Sequence, residues 1–461
     1  MSSNRLNRSA KMLIVGALSL ASIGTGVVVG VSGAGASGST PGVTARTITI
    51  GATVPISGLA KGYAEVSASA AAVFNYVNKH GGINGRKIKY LRLDDCYNIA
   101  ALGCALPPTL TPTLDQTRAL VTQDNVFATV GSLGTAAQDS VLAYLNQNHV
   151  PDLFVNSGSS DWNQAKYPLL FGFQPSYQAE SKIFAKWITS HMPNAVIGTL
   201  GQGDDFGANG LAGLLAGGLN ILPSNQLVYN PANVVNPPAL QAELVQRITT
   251  LKTNGATVVV LDAIPPVVNG ILQIAHSLSY TPQWVISSVG SDPLGVNTSL
   301  EVGAITFNYL PATNDAKNVW NKWVRKVIAN DPTRTTDFPN FYSGANAGIL
   351  DANMLYGSSY AVAFCEALKS LGKNPTRAGI VKAMTTVKFA TPSTTPLLYS
   401  AGNHQGLQGG GLATVVANSN PANPPQFANY LNSTTYTTGD YSNTAVVAHK
   451  TIVSPIPSWL K

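Results

Sequence analysis

Residues 47–95, TITIGATVPISG through NKHGGINGRKIKYLRLDD, constrain the fold of this chain more than any other stretch. Ile48, Ile50, Ala52 and Val54 form a buried-strand run, which Pro55-Ile56-Ser57-Gly58 ends in a turn. Val66, Ala70, Val73, Phe74 and Val77 then recur at helical spacing, so a helix from Glu65 to Lys79 carries one apolar stripe. Gly81-Gly82 closes it, because glycine takes the left-handed backbone that a helix end requires. A turn at Asn84-Gly85 leads to a second strand, Ile88 to Leu93, ending on Asp94-Asp95. Strand, helix and strand in that order make the crossover from which parallel sheets are built.

The alternation continues. A helix is expected over about 113–124, a strand over Val126–Val130, a helix over Thr135–Asn148 and a strand over Val150–Val155, completing one doubly wound lobe. It resumes with strands at Ala195–Leu200, Val258–Leu261 and Trp284–Ile286, with Leu240, Leu244, Ile248 and Leu251 striping a helix between the first two. Long helices are expected near 315–329, 345–371 and 375–384. With 461 residues the chain is long enough for two such lobes, each with its own core. Beyond about 418 the composition turns to Asn, Pro, Thr and Tyr without periodicity.

Residues 1–36 read as a signal peptide: Arg5, Arg8 and Lys11 form a basic start, Met12–Leu20 an apolar centre, and Ala34-Gly35-Ala36 a small-residue cleavage site. The alternative is an uncleaved anchor, against which four glycines or serines between Ser19 and Gly26 interrupt the apolar run. The net charge of +7, less those three cations, leaves +4, spread without a stripe, so no nucleic-acid partner is expected. Export favours a disulfide between Cys96 and Cys104, which flank a short loop; two free thiols are the alternative. Cys365, in the apolar run Ala361–Phe364, is expected in the core.

The turn Pro55-Ile56-Ser57-Gly58, the string Gly81-Gly82-Ile83-Asn84-Gly85-Arg86-Lys87 and the pair Asp94-Asp95 resemble the first unit of the leucine/isoleucine/valine-binding protein family, the type I periplasmic solute receptors of ABC importers. The chain follows that family's order to about residue 417. The resemblance implies an α/β fold of two doubly wound lobes with central parallel sheets, joined by hinge crossings. It assigns 46–177 with 305–386 to lobe 1, 178–304 with 387–417 to lobe 2, and leaves 418–461 as an extension without counterpart. Lobes joined in this way close on a small molecule like a jaw. Residues 1–36 contain no cysteine, so the lipid anchor of Gram-positive relatives is not expected, and the protein is expected to be secreted or associated with the cell envelope.

In open α/β sheets ligands sit at the carboxyl ends of strands. Three such loops are rich in small hydroxyls: Ser57-Gly58, Ser132–Thr135 and Ser157–Ser160, the last including Gly158 and Ser159. The resemblance implies that Thr135 donates its hydroxyl and N–H to a ligand carboxylate, that the Gly158 carbonyl faces an amino group, and that Ser160 donates again. Ordinary helix caps are the alternative for each. The second lobe departs from the family. Phe206 stands where an amino-acid receptor has a tyrosine, Ile264-Pro265-Pro266 replaces an aromatic, and the glutamate that pairs with the ligand ammonium matches Ser288 or Val289. A buried ammonium without a counter-charge is costly, which argues against leucine-like ligands. Asp262, Asp205 and Asp292 are the nearby substitutes or mere turn residues, Gln178 adds a neutral hydrogen bond, and Tyr63 and Trp162 are candidate cleft walls.

Enzyme signals are poor. Gly201-x-Gly203 followed by Gly207 misses the dinucleotide spacing, and no nucleophile elbow or His-Glu-x-x-His pair occurs. The six histidines lack metal-ligand spacing, so neither cofactor nor metal is expected. The reading is a monomeric, exported solute-binding protein that feeds an ABC permease with an amino acid, amide or carboxylate. The alternative is a sensor of the same fold, signalling to a membrane or regulatory partner.

Overall fold

A computed structural model describes residues 40–99, 103–291, 299–342, 347–417, 426–428, 434–438 and 445–461. The expected signal peptide and Asp292 lie outside the described residues. The first unit forms as its pattern requires: β1 (Thr47–Val54) pairs in parallel with β2 (Lys87–Asp94), and α1 (Ala64–Lys79) crosses between them, burying Val66, Ala70, Val73, Phe74 and Val77. Gly82 sits at φ +75°, where a Cβ would lie 2.1 Å from the Arg86 carbonyl oxygen. The Gly-Gly-Ile-Asn-Gly-Arg string is thus a tight turn, closed by the Ile83 and Arg86 backbones bonding to each other. Asn78 fastens it, bonding the backbone N–H and carbonyl of Ile88 at 2.7 Å each.

The first sheet runs β2-β1-β3-β4-β5, all parallel, with β3 (Thr129–Val130), β4 (Asp152–Val155) and β5 (Leu170–Gly172). Two elements differ from expectation. The helix expected over Thr135–Asn148 is broken into α3 (Thr135–Asp139) and α4 (Leu142–Gln147), where Ser140 turns its hydroxyl back onto the Ala137 carbonyl at 2.6 Å. The helix expected over 113–124 is α2 (Pro112–Arg118), which widens into a π-helical turn over Ala119–Gln123.

The second sheet holds nine described strands. Its parallel centre comprises β6 (Ile197–Gln202), β7 (Gln226–Tyr229), β8 (Val258–Asp262), β9 (Gln283–Ile286) and β10 (Ile305–Asn308). Helices α5 (Tyr177–His191), α6 (Asp205–Ala216), α7 (Pro237–Thr253) and α8 (Pro265–Ser277) belong to this lobe. The return to the first lobe follows β10 instead of preceding it at residue 305, because Ile305–Asn308 is a fully buried strand held between β9 and β13. Helices Val319–Ala329 and Ala352–Ser370 then pack on α1. The approach is close: a Cβ on Gly357 would lie 1.8 Å from the Val66 carbonyl oxygen, and Ser69 of α1 donates to the Met354 carbonyl at 2.5 Å. Cys365 is fully buried in this core.

After helix Arg377–Thr386 the chain forms a hairpin, β11 (Leu397–Ser400) with β12 (Asn403–Leu407), and enters the second sheet antiparallel as β13 (Gly409–Val416). The aperiodic extension continues that sheet: β14 (Gln426–Ala428) and β15 (Thr434–Thr437) pair with β13, and β16 (Val447–Lys450) with β15. The last residues cross to the first lobe, where the Ser454 carbonyl accepts from Trp320 Nε1 at 2.7 Å and Leu460 is buried beside Tyr76. Cys96 and Cys104 are joined by a disulfide, with Cα atoms 5.5 Å apart. Among the described residues no helix is long and apolar enough to cross a membrane.

Candidate functional site

The carboxyl ends of both sheets open onto one hollow of about 800 Å³, mouth included. From the first lobe come Leu133, Gly134 and Thr135 after β3, Asn156 after β4 and Gln174 after β5. From the second come Ser288, Val289 and Ser291 after β9, and Phe307 to Leu310 at the end of β10. Tyr63 and Val66 at the start of α1, Tyr97, Tyr177, and Ala352, Asn353 and Tyr356 close the sides. This is the position the strand-end rule specifies for a ligand.

Hydrogen bonds span the lobes around this hollow. The Tyr63 hydroxyl donates to the Val289 carbonyl at 3.1 Å. Ser160 donates through N–H and hydroxyl to Asn209 Oδ1 of α6, at 3.1 and 2.5 Å, and Gln178 Nε2 reaches the same oxygen at 3.4 Å. Beside them three carboxyl groups meet, Asp139 and Asp161 from the first lobe and Asp205 from the second, with one oxygen of each within 4.8 Å of the others. Burial, and then the charges of Asp161, Asp205 and Asp204, push Asp139 up to about 8. Asp161 is raised too, by burial and by Asp205, with Lys166 acting against them.

The structure brings three of the sequence-expected contacts, Tyr63, Thr135 and Ser288, to the hollow and places the others elsewhere. Thr135 bonds with the Ser157 hydroxyl at 2.8 Å and the Tyr177 hydroxyl at 3.3 Å, and α3 behind it is a single five-residue turn. Ser57 is turned away, its hydroxyl on Asp94 at 2.5 Å. The Gly158 carbonyl accepts the Tyr177 N–H at 2.8 Å, and Gly158 is not among the residues lining the hollow. Ser159 is fully buried and caps Asp161 N–H. Ser160 and Gln178 join the lobes outside the hollow. Phe206 is buried against Tyr177, with ring centres 4.4 Å apart. Asp262 is buried behind α6, where burial and Glu180 raise it well above the ordinary carboxylate range. Trp162 is core, its Nε1 donating to the Ser157 carbonyl at 2.8 Å.

An acid stands behind Ser288, one of the two residues that the resemblance matches to the family's glutamate. Glu180 of α5 accepts from both the N–H and the hydroxyl of Ser288 at 2.7 Å, and burial raises it to about 7 against those bonds. Both of its oxygens are thereby engaged, and the residue is not part of the lining. The residues that sequence reasoning missed include Gln174, Tyr309 and Tyr356. Gln174 follows a three-residue strand too short to show periodicity, Tyr309 follows a strand in the segment that the resemblance assigns to lobe 1, and Tyr356 lies on a helix that reaches the hollow through packing alone.

Two α/β lobes with a hollow at their strand ends make the type I periplasmic-binding-protein fold. The chain belongs to the periplasmic binding protein family, whose model matches residues 47–420. No curated protein matches it. Among solved structures it resembles a possible leucine/isoleucine/valine-binding protein from Rhodopirellula baltica SH 1 (18% identity, TM-score 0.67, covering 83% of this chain and 96% of that one). It also resembles a branched chain amino acid ABC transporter protein from Thermus thermophilus with bound valine (14%, 0.65, 83% and 96%). A third is the solute binding protein of an ABC transporter from Rhodopseudomonas palustris BisB5 in complex with 3,4-dihydroxy benzoic acid (17%, 0.62, 84% and 96%).

Proposed function

We propose that this protein captures a small organic molecule between its lobes outside the cytoplasm and presents it to the permease of an ABC importer, acting as a monomer without chemistry of its own. The observation that supports this reading is that the hollow at the strand ends is bridged by side-chain hydrogen bonds, Tyr63 to Val289 and Ser160 to Asn209, none of which belongs to either sheet's ladder. Thr135, Ser288 and Tyr63 face the captured molecule, and Ser160 with Gln178 forms a latch at its side. Proteins of this fold hold ligands as different as valine and 3,4-dihydroxy benzoic acid, so the lining and not the fold decides which molecule is taken.

The test is scattering and thermal unfolding of the purified protein against a library of amino acids, amides, aromatic acids and neutral aromatics. A ligand is expected to reduce the radius of gyration and raise the midpoint together. Tyr63→Phe removes one bond across the cleft, worth about 1 kcal/mol, and is expected to shift the ligand-free protein towards the open form. If no compound in any class changes either observable, capture by lobe closure is wrong.

A further inference from the structure

Resting on the capture reading, the lining of the hollow identifies the class of molecule it takes. Among its described residues there is no Asp, Glu, Lys, Arg or His. The buried acids around it are spent or remote: Glu180 on Ser288, Asp351 capping the Met354 N–H at 2.7 Å, and Asp262 behind α6. A charge of either sign brought into such a site loses its hydration and meets no counter-ion. Six aromatic rings stand around it instead, Tyr63, Tyr97, Tyr177, Phe307, Tyr309 and Tyr356. Rings of this kind offer flat apolar faces for stacking, with polar edges.

Three polar groups in this wall stand without a partner among the described residues, the acceptor Asn156 Oδ1 and two donors. Gln174 is 4% exposed, and its Oε1 accepts from the Tyr356 hydroxyl at 2.9 Å, yet its Nε2 makes no hydrogen bond. The Tyr309 hydroxyl likewise has no bonding partner, and burial holds its proton in place by raising the phenol well above its ordinary range. An amide donor left unsatisfied in a buried site is expensive, by more than an ordinary hydrogen bond contributes. Gln174 and Tyr309 sit in one corner, since Tyr356 bonds the first and packs edge-on against the second at 6.0 Å between ring centres. A ligand oxygen seated there satisfies both donors at once.

We propose that the cleft takes an uncharged aromatic molecule with a carbonyl or phenolic oxygen, its ring held among the tyrosines and its oxygen received by Gln174 Nε2 and the Tyr309 hydroxyl. Amino acids are disfavoured for want of an anion, and carboxylates for want of a cation.

The experiment is calorimetric titration of the wild-type protein with matched probes: benzamide and methyl 4-hydroxybenzoate as neutral aromatics, benzoate and 4-hydroxybenzoate as acids, and phenylalanine and leucine as amino acids. At least one neutral aromatic is expected to bind tenfold or more tighter than its acid and than either amino acid. Gln174→Leu and Tyr309→Phe are each expected to weaken that probe tenfold or more; Tyr309→Phe leaves the unfolding midpoint unchanged or raised, whereas Gln174→Leu also orphans the Tyr356 hydroxyl and lowers it. Tighter binding of an acid or amino acid overturns the assignment of class while leaving capture intact. Equal affinities in wild type and both variants overturn the assigned corner. Binding by none of the six, where another compound from the wider library closes the lobes, also overturns the class. Closure by no compound at all overturns the capture reading instead.

Discussion

Replacing Asp139 with asparagine tests the electrostatics of the lobe interface most directly. The carboxyl group ordinarily titrates near 4 and here titrates near 8, first because it is buried and then because Asp161, Asp205 and Asp204 face it. An acid whose folded value is raised leaves the folded state holding more protons than the unfolded chain between those two values. Stability therefore falls as pH rises from about 4 to about 8 and is recovered below that window. Each tenfold change in proton affinity corresponds to about 1.4 kcal/mol, so the full displacement has an upper bound of ~6 kcal/mol. The side chain is only half-buried and water screens part of the repulsion, which brings the expected contribution to about 2 kcal/mol. Asp139→Asn removes the charge and keeps the shape. Unfolding entropy of ~2.1 cal/mol/K per residue over roughly 400 residues converts that gain to about 2–3 °C. The assay is thermal unfolding from pH 5 to pH 9. The variant is expected to track the wild type at the acid end and to unfold at a higher temperature by pH 8.5. Parallel curves across the whole range would show that the three carboxylates are not forced together in the folded protein.

Three other perturbations probe features away from the lining. Breaking the Cys96–Cys104 bridge with paired alanines frees a loop of sequence separation 8; on the chain-entropy model this lowers stability by about 2–3 kcal/mol, read as a lower denaturant midpoint that dithiothreitol reproduces in the wild type. Deleting residues 451–461 exposes the pocket of Leu460 and orphans Trp320 Nε1. A loss of roughly 3–5 kcal/mol is expected, together with faster proteolysis, whereas a dispensable tail would leave both unchanged. Gly357→Ala places a methyl group against the Val66 carbonyl; it is expected to cost about 1–3 kcal/mol or more by forcing α1 and helix Ala352–Ser370 apart, measured by chemical denaturation.

Local pattern carried most of the architecture. The β1–α1–β2 unit, the parallel strands β6, β8 and β9 and the bridge-forming cysteines were legible because each depends on residues close in sequence: alternating buried runs, a helical stripe, or glycines that only a tight turn accommodates. Less legible were elements whose existence depends on a distant partner. β10 is a four-residue strand that forms because β9 and β13 both bond to it, and the aperiodic extension orders its described strands by adding to the sheet edge at β13.

The site divides in the same way. The two-lobed fold with its hollow at the strand ends was implied by the family resemblance of the sequence. Which side chains face the hollow was decided by packing. Ser160 is drawn across to Asn209, Gly158 spends its carbonyl on Tyr177, and Gln174 and Tyr309 are left with idle donors. Periodicity reports which face of an element is apolar, but where a polar group ends up depends on partners 20 to 200 residues away. Those partners are chosen only when the two lobes come together.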